Sequence, residues 1–456
     1  MLDSLKEPLI LALLLGAGFL YFLIAFHIIG RNKFYAELFE KSCIGLFLTI
    51  IAGATGAGIS ILPKLHPRIL SLVVVTPPTV ILQLGFYALV LAVLIPRLRH
   101  TLRDFISAIG VLFVQDGFFS LFLLLIGLSA FWSNTPEVTL KTSLVYLETS
   151  VIAIYVGKQY SWTQLFQISR WVSCFLLISS ILYNAAGSGK DEFGSWMGLL
   201  GHKNQFGFFM AFTVALWFIH AIYNKKQRSF SIAVIFLGML ALNFSQSGAA
   251  RVIVVCLLAL WFYLGFAKKL PAQWAFVSVV LFLIVSICLT ILVTENLEFI
   301  VVDTLNKDLT LTGRTEFWPL VIDKINERPL LGYGIDGFWQ PWRGPDNPAR
   351  SIIVAKTQFT PPHSHNGFLD LALDLGYGGL AIFMMSFLSS IAKSVIFLSR
   401  APMPEAGLPL LVITYVLMTN LTETGLLGVT SIWFWYVVVV VRTSLDTTMS
   451  PELTRR

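Results

Sequence analysis

The stretch that decides the fold is residues 205–223, QFGFFMAFTVALWFIHAIY, in which His220 is the one ionisable side chain apart from the terminal tyrosine. A helix needs about 20 mostly apolar residues to cross the hydrocarbon core of a bilayer, and this stretch has that length. The whole chain has the same character. Of its 456 residues, 56% are hydrophobic and 12% are charged, whereas soluble domains carry roughly 25% charged residues. The sequence therefore predicts an all-α polytopic membrane protein.

Apolar stretches of similar length recur along the chain and predict about 12 or 13 transmembrane helices. The predicted spans are 8–29, 42–62, 69–95, 105–131, 138–157, 165–186, 205–223, 229–247, 250–267, 274–294, 367–398, 408–426 and 429–441. The first ten belong to residues 1–294, and the last three belong to residues 367–456. A large polar loop, residues 295–366, separates these two parts.

The polar loop, residues 295–366, is too long to be structureless in a compact protein, so we expect it to be ordered and functional. Phe317, Val321 and Ile325 recur at helical spacing, which predicts an amphipathic helix inside the loop. Pro329 follows and is expected to end that helix. The loop therefore predicts a small helical cap.

Basic residues indicate the orientation of the chain. They concentrate in the short connectors 31–41, 96–103, 224–228, 268–269 and 442–456. Cytoplasmic connectors carry such an excess of Lys and Arg, so these are predicted to face the cytoplasm and the polar loop to face the other side. The net charge of +7 arises from these connectors rather than from one basic face, which argues against a nucleic-acid partner.

Four polar clusters fall on the predicted non-cytoplasmic side. They are Gly201-His202-Lys203-Asn204, Ser245-Gln246-Ser247-Gly248 with Arg251, Thr312-Gly313-Arg314-Thr315, and His363-Ser364-His365-Asn366-Gly367. Each cluster lies where an apolar span or the loop helix begins. Their location on one side is the main sequence signal for a functional site.

The cations of these clusters each allow two interpretations. Arg251 either anchors a helix end at the membrane interface or contacts an anion, and an outward arginine runs against the usual charge bias. Arg314, at the predicted start of the loop helix, either forms a surface salt bridge or holds phosphate together with the helix N–H groups. His202, Lys203 and Asn204 either cap the next helix or supply a further cation for a polyanionic ligand.

His365 is the candidate general base. Asn366 is expected to cap the following helix, whose positive end disfavours an imidazolium and keeps His365 able to accept a proton from an alcohol. His363 completes an HxH pair, but the sequence shows no third metal ligand, so neither a metal nor another cofactor is predicted. Asp370 and Asp374, one turn apart, either orient His365, pair with an arginine, or serve a structural role.

The loop is rich in aromatic side chains: Trp318, Tyr333, Phe338, Trp339 and Trp342. Such residues form either the core of the cap or a surface on which sugar rings stack. Tyr333 is therefore a further candidate to support the site.

The motifs GHKNQFG (201–207), SQSGAAR (245–251), LTGRTEFW (311–318) and HSHNGFLDLALDLGYGGL (363–380) occur in this order. Together they resemble the O-antigen ligase and Wzy-type polymerase superfamily, in particular its exopolysaccharide-polymerase branch. The resemblance covers roughly residues 190–400, and the earlier spans match in hydropathy alone.

This resemblance implies a multi-spanning, inverting glycosyltransferase similar to the GT-C class, acting on the periplasmic face of the bacterial inner membrane. The implied donor is an undecaprenyl-diphosphate-linked glycan, and the acceptor is a lipid-linked repeat unit or lipid A core. Arg251 and Arg314 match arginines that hold the donor diphosphate, Lys203 matches less closely, and His365 matches the family's base. A flippase and a chain-length regulator are implied as partners.

The predicted function is the polymerisation of lipid-linked repeat units into an exopolysaccharide. A ligase that transfers finished glycan to lipid A core or to protein is the alternative, because its donor-side residues would be the same. A lipid-linked glycan flippase is less favoured, since transporters need polar residues along their spans and here these gather at one face. The chain has no D-x-D triplet, which favours a metal-independent enzyme.

Overall fold

The computed structural model describes residues 33–54, 109–110, 112–305, 314–353, 360–426 and 430–448. Within these residues the protein is helical and has no β-strand, only an isolated bridge between Lys190 and Trp196. The helices are α1 (Lys33–Thr49), α2 (Gly117–Leu128), α3 (Pro136–Gln159), α4 (Trp162–Ala185), α5 (Lys203–Tyr223), α6 (Arg228–Phe244), α7 (Gly248–Ala267), α8 (Ala272–Leu305), α9 (Arg314–Glu327), α10 (Gly367–Arg400), α11 (Leu408–Asn420) and α12 (Ser431–Thr448).

Six helices of the described part are long and apolar enough to cross a membrane, which confirms an all-α polytopic membrane protein. From 105–131 onward, each predicted span overlaps one helix of the series α2–α8 and α10–α12. Helix α8 continues to Leu305, past the predicted end at residue 294. Spans 8–29 and 69–95 lie outside the described residues, so the total number of spans stays a prediction.

Helix α5 is the buried centre of one half of the bundle, packed against α4, α6 and α7. Within its apolar window 78% of the residues are buried, compared with 28% in the neighbouring stretch Lys225–Phe244. That stretch instead turns large side chains outward, and Phe236 is 62% exposed. An apolar surface of this size suits a lipid environment rather than water.

The cap, residues 314–353, contains the predicted amphipathic helix as α9. Phe317, Val321 and Ile325 are buried in a small apolar cluster of their own, which confirms the helical spacing inferred from the sequence. Leu373 of α10 belongs to the same cluster. The cap is therefore held against the first half of α10.

Helix α10 is interrupted at Gly376, whose φ of +69° and ψ of −179° are not helical. The interruption frees two carbonyl groups that an unbroken helix would use internally. The Tyr333 amide donates to Leu373 O at 2.9 Å, and the Gly334 amide donates to Asp374 O at 2.8 Å. The backbone groups released by the break are thus satisfied by the cap, as buried backbone groups generally require.

The residues after the break also bond to the cap. The Tyr377 amide donates to Pro329 O at 2.7 Å. Gly332 has a φ of +65°, and a Cβ there would collide with the backbone of α10, 2.6 Å from Asp374 O. Only glycine permits this approach. The continuous span predicted for 367–398 did not include this interruption.

Candidate functional site

The loop before α10 is closed by its own side chains. Asn366 caps the helix, because its Oδ1 accepts hydrogen bonds from Phe368 N at 3.0 Å and Leu369 N at 3.2 Å. The predicted N-cap is therefore confirmed. Ser364 Oγ donates to Asn366 O at 2.7 Å. This compact turn leaves little freedom to the residue between them.

That residue is His365, which has a φ of +55°. A left-handed conformation at a non-glycine residue costs about 1–3 kcal/mol and occurs mainly where the surroundings require it. The His365 amide donates to Nδ1 of His363 at 3.1 Å, and the centroids of the two rings lie 4.1 Å apart. The turn therefore holds both imidazoles side by side.

Glu423 joins this pair from the far end of α11. Its Oε2 accepts from Nδ1 of His365 at 3.1 Å and lies 3.8 Å from Nε2 of His363. Its Oε1 accepts from Asn204 Nδ2 at 2.7 Å. Because the carboxylate accepts a hydrogen bond from Nδ1–H of His365, the proton of the neutral ring stays on Nδ1 and the lone pair is on Nε2, which is the arrangement a general base needs.

The turn after α11 presents Glu423 to the histidines. Asn420 Oδ1 accepts from Gly425 N at 2.8 Å and from Leu426 N at 2.7 Å, which folds the chain back at this point. Gly367, the first residue of α10, lies directly against Asn420, and an added Cβ would sit 3.0 Å from its Cγ. Glu423 is not among the site residues predicted from the sequence. A carboxylate within a predicted apolar span was the available signal.

His202 lies within electrostatic reach of the same carboxylate. Burial lowers the pKa of His202 below its ordinary value of 6.5, the Glu423 carboxylate opposes that shift, and His365 adds to it. The neighbouring Lys203 Nζ is 3.8 Å from Asp191 Oδ2. His202 and Asn204 are thus close to the histidine pair through Glu423, whereas the ion pair of Lys203 is with Asp191.

The two aspartates of α10 have structural roles. Three groups donate hydrogen bonds to the buried Asp370 carboxylate: Trp339 Nε1, Ser364 N and Thr424 Oγ1. Asp374 accepts from the Asp336 amide at 2.9 Å. The side-chain contact to the His365 ring comes from Glu423, so the described contacts of the two aspartates favour the structural interpretation. Their buried carboxylates instead tie the cap and the histidine loop to α10.

Arg251 lies in the first turn of α7 and is exposed, with Nη2 donating to Asn243 Oδ1 at 3.2 Å. Gly207, in the first turns of α5, approaches this junction so closely that a Cβ would lie 2.8 Å from Ala250 Cβ. Arg251 is therefore at the same end of the bundle as His365. Both interpretations of Arg251, interfacial anchor and anion contact, remain compatible with this position.

The structure shows no contact between the histidine cluster and two other candidates, Arg314 and Tyr333, among the side chains it describes. Arg314 begins α9 by its backbone, and its side chain is outside the part that the structure describes. The Tyr333 hydroxyl donates to Glu327 Oε2 at 3.0 Å, and its ring packs 4.9 Å from that of Phe338. Burial raises the pKa of Tyr333. The described contacts of Tyr333 make it part of the cap core rather than of the histidine cluster.

His363, His365 and Glu423 could also hold a metal ion. One ligand atom from each lies within 4.8 Å of the others. Two imidazoles and one carboxylate form a donor set used by catalytic zinc sites. Its position in an apolar span marked Glu423 as unusual, but a separation of 58 residues from His365 gave no sign that the two side chains meet. The site therefore offers two chemistries, an oriented base or a metal centre.

Comparison with known proteins shows which family the chain resembles. Residues 231–384 match the family described as O-Antigen ligase. This segment includes Arg251, Arg314 and His365, whereas Lys203 and Glu423 lie outside it. The predicted resemblance to the O-antigen ligase and Wzy-type polymerase superfamily is confirmed for this multi-pass membrane protein, and the similarity supports a glycan-transferring function.

Two proteins of known role are similar to this chain over most of its length. The exopolysaccharide production protein ExoQ of Rhizobium meliloti is 22% identical over 309 residues, which are 66% of this chain and 68% of that protein. The ComP-specific O-oligosaccharyltransferase of Acinetobacter baylyi is 28% identical over 300 residues, 62% of this chain and 50% of that protein. The similarity to the first protein supports the exopolysaccharide branch, and the similarity to the second supports the ligase alternative.

Proposed function

We propose that the protein is a glycosyltransferase that joins lipid-diphosphate-linked repeat units into an exopolysaccharide, with His365 as its general base. The observation that carries this proposal is the 3.1 Å contact between Nδ1 of His365 and Oε2 of Glu423. Nε2 of His365 takes the proton of the acceptor sugar hydroxyl. Glu423 holds the ring in the required tautomer and stabilises the imidazolium that forms, as a carboxylate does in hydrolase triads.

In the transfer step, the acceptor oxygen forms a bond to the anomeric carbon of the donor glycan as the bond from that carbon to the diphosphate oxygen breaks. The electron pair leaves with the lipid diphosphate, and the acceptor proton goes to His365. Diphosphate needs positive charge around it more than it needs an acid. Arg251, Arg314 and Lys203 supply that charge in this proposal, so no metal is required.

The reaction takes place on the periplasmic face of a bacterial inner membrane, with an undecaprenyl-diphosphate carrier as the expected donor. This location is supported by the two ends of α5. The histidine cluster lies at its start, and the basic connector that contains Lys225 and Lys226 follows its end. Partners that flip the donor or regulate chain length fit this location.

The test of polymerase activity uses the purified full chain with a lipid-diphosphate repeat unit as its single substrate. A polymerase needs no other acceptor, so products should form a ladder spaced by one repeat unit on a sizing gel. The ligase alternative rests on the similarity to the oligosaccharyltransferase. If product forms only after a protein or core-lipid acceptor is added, the polymerase proposal is wrong and the ligase alternative is supported.

A further inference from the structure

Arg170 lies inside α4, one of the candidate membrane spans, and is only 7% exposed. Its guanidinium carbon lies 5.1 Å from the ring centre of Phe166 and 5.0 Å from that of Trp217. Among the described residues, no acceptor hydrogen-bonds to Nε or Nη1 of this side chain. A buried charge in a span is costly and normally faces a partner. In the part that the structure describes, Glu405 acts on Arg170 electrostatically but accepts no hydrogen bond from it, so the donors at Nε and Nη1 are free to bind an added anion.

A cavity of about 580 Å³ opens beside Arg170 at the end of the bundle opposite His365. Helix α5 connects the two ends, since its 21 residues span about 30 Å from Lys203 to Tyr223. The cavity has four charged residues in its lining: Arg170, Lys225, Lys226 and Glu405. Positive charge is thus in excess, and the volume is that of a small-ligand site.

His220 also lines the cavity, but it adds no charge. Its Nδ1 lies 2.9 Å from Ser231 Oγ, and that hydroxyl already donates to Gln227 O at 3.0 Å. Nδ1 must therefore carry the proton in this contact. Nε2 lies 3.2 Å from the amide nitrogen of Asn224, which can only donate. His220 is accordingly neutral, and the attraction for an anion comes from Arg170 and the two lysines.

We propose that this cavity is a phosphate-binding site, separate from the donor site, with Arg170 as its central ligand. The two aromatic rings pack against the guanidinium, and its uncommitted N–H donors are suited to phosphate oxygens. Lys225 and Lys226 add charge at the exposed rim. The phosphate belongs either to the headgroup of an anionic membrane lipid or to a soluble phosphate compound, and binding measurements separate these sources.

The full chain in detergent is titrated with three probes: dioleoyl-phosphatidylglycerol, dioleoylglycerol as the same lipid without phosphate, and inorganic phosphate. Binding is followed by native mass spectrometry and by the rise in unfolding temperature that any ligand of the folded state produces. Phosphatidylglycerol binding without a response to inorganic phosphate assigns a lipid headgroup, and the reverse assigns a soluble phosphate. Equal binding of dioleoylglycerol and phosphatidylglycerol overturns the proposal.

Arg170→Met removes the charge but keeps an apolar side chain of similar length between the rings. A charge-assisted hydrogen bond contributes enough that its loss should weaken phosphate binding by roughly tenfold or more. Arg170→Lys keeps the charge without the planar fork and should fall between Met and the natural chain. Arg170→Met that binds the probes as tightly as the natural chain contradicts the proposal.

A rim variant keeps the test valid if Arg170 variants do not fold. Lys225→Gln with Lys226→Gln changes two exposed side chains and should weaken binding several-fold, with an effect that falls as salt rises. Lys269→Gln is the matched control, since Lys269 is an exposed lysine of the same end that does not line this cavity. Equal effects of the rim variant and the control would show that general surface charge, and not this cavity, attracts the phosphate.

Discussion

His365 combines a strained backbone with a ring that Glu423 orients. Its φ of +55° is maintained by the capped turn between Ser364 and Asn366, and its ring is fixed by Glu423. Strain at a residue persists only where the surrounding contacts outweigh it. The energetic cost of this conformation is consistent with a residue selected for its chemistry rather than for stability.

His365→Asn separates these two properties. Asparagine tolerates a left-handed backbone, and its amide can still donate to Glu423, but it has no basic nitrogen. We expect the fold to persist and glycan transfer to fall by about 10²–10⁴-fold, the usual loss when a general base is removed. Single-turnover transfer and donor binding, measured separately, check this.

His363→Asn is the matched control for that substitution. The amide oxygen of asparagine can accept from the His365 amide in place of Nδ1, so the turn should survive and activity should change by less than about tenfold. If both variants fold normally and lose transfer to the same extent, the assignment of His365 as the general base is wrong.

The metal alternative concerns the same three side chains. If the arginines and Lys203 hold the leaving diphosphate, transfer should survive exhaustive EDTA treatment of the purified protein. The assay is initial rate before and after chelation, with added divalent ions as the second arm. Activity that disappears with EDTA and returns with one ion would instead make His363, His365 and Glu423 ligands.

At the scale of elements, the cap and α10 form one unit through the break at Gly376. Backbone groups of Leu373, Asp374 and Tyr377 bond to the cap instead of completing the helix. The Asp370 carboxylate adds a side-chain link between the cap and the histidine loop. Movement of the cap would therefore be transmitted directly to the turn that carries His365.

Gly376→Ala tests this coupling. A Cβ there would collide with the backbone at residue 330 and lie 2.6 Å from Leu331 N, in a conformation that L-residues rarely adopt. We expect a loss of about 1–3 kcal/mol or more in stability, faster proteolysis of the cap, and reduced transfer. Gly265→Ala is the control, since a Cβ at Gly265 meets nothing within 4 Å. Similar behaviour of both variants would show that the cap is not held by the break.

At the scale of the whole molecule, the protein has two chemically different ends. Histidines, asparagines and Glu423 gather where α5 begins, and basic side chains surround the cavity where α5 ends. In our proposal the first end transfers glycan outside the cytoplasm, and the second binds phosphate on the cytoplasmic side.

Cysteine labelling of intact cells tests that orientation. In a variant without the four natural cysteines, Glu192→Cys and Gln227→Cys place exposed thiols near Lys203 and near Lys225. A membrane-impermeant maleimide should label residue 192 in intact cells and residue 227 only after lysis, because charge bias places the basic connector inside. The opposite pattern would invert the orientation and exclude a periplasmic reaction.

The sequence alone determined the all-α membrane class, most helix positions and the amphipathic helix of the cap. These depend on local properties: the length of apolar stretches, the 3.6-residue period, and the signals that begin and end helices. Asn366 was predicted as the N-cap of α10 from the same kind of local signal. The motifs also placed His365 among the candidates before any contact was known.

Only the tertiary structure decided which groups meet. Glu423 reaches His365 across 58 residues, because the end of α11 packs against the start of α10. The broken helix at Gly376 exists because the cap satisfies the freed carbonyl groups. Arg170 is notable only because it is buried and, within the described part of the chain, Nε and Nη1 have no acceptor. Such facts depend on packing between distant segments, whereas hydropathy and periodicity report only on residues close together in the chain.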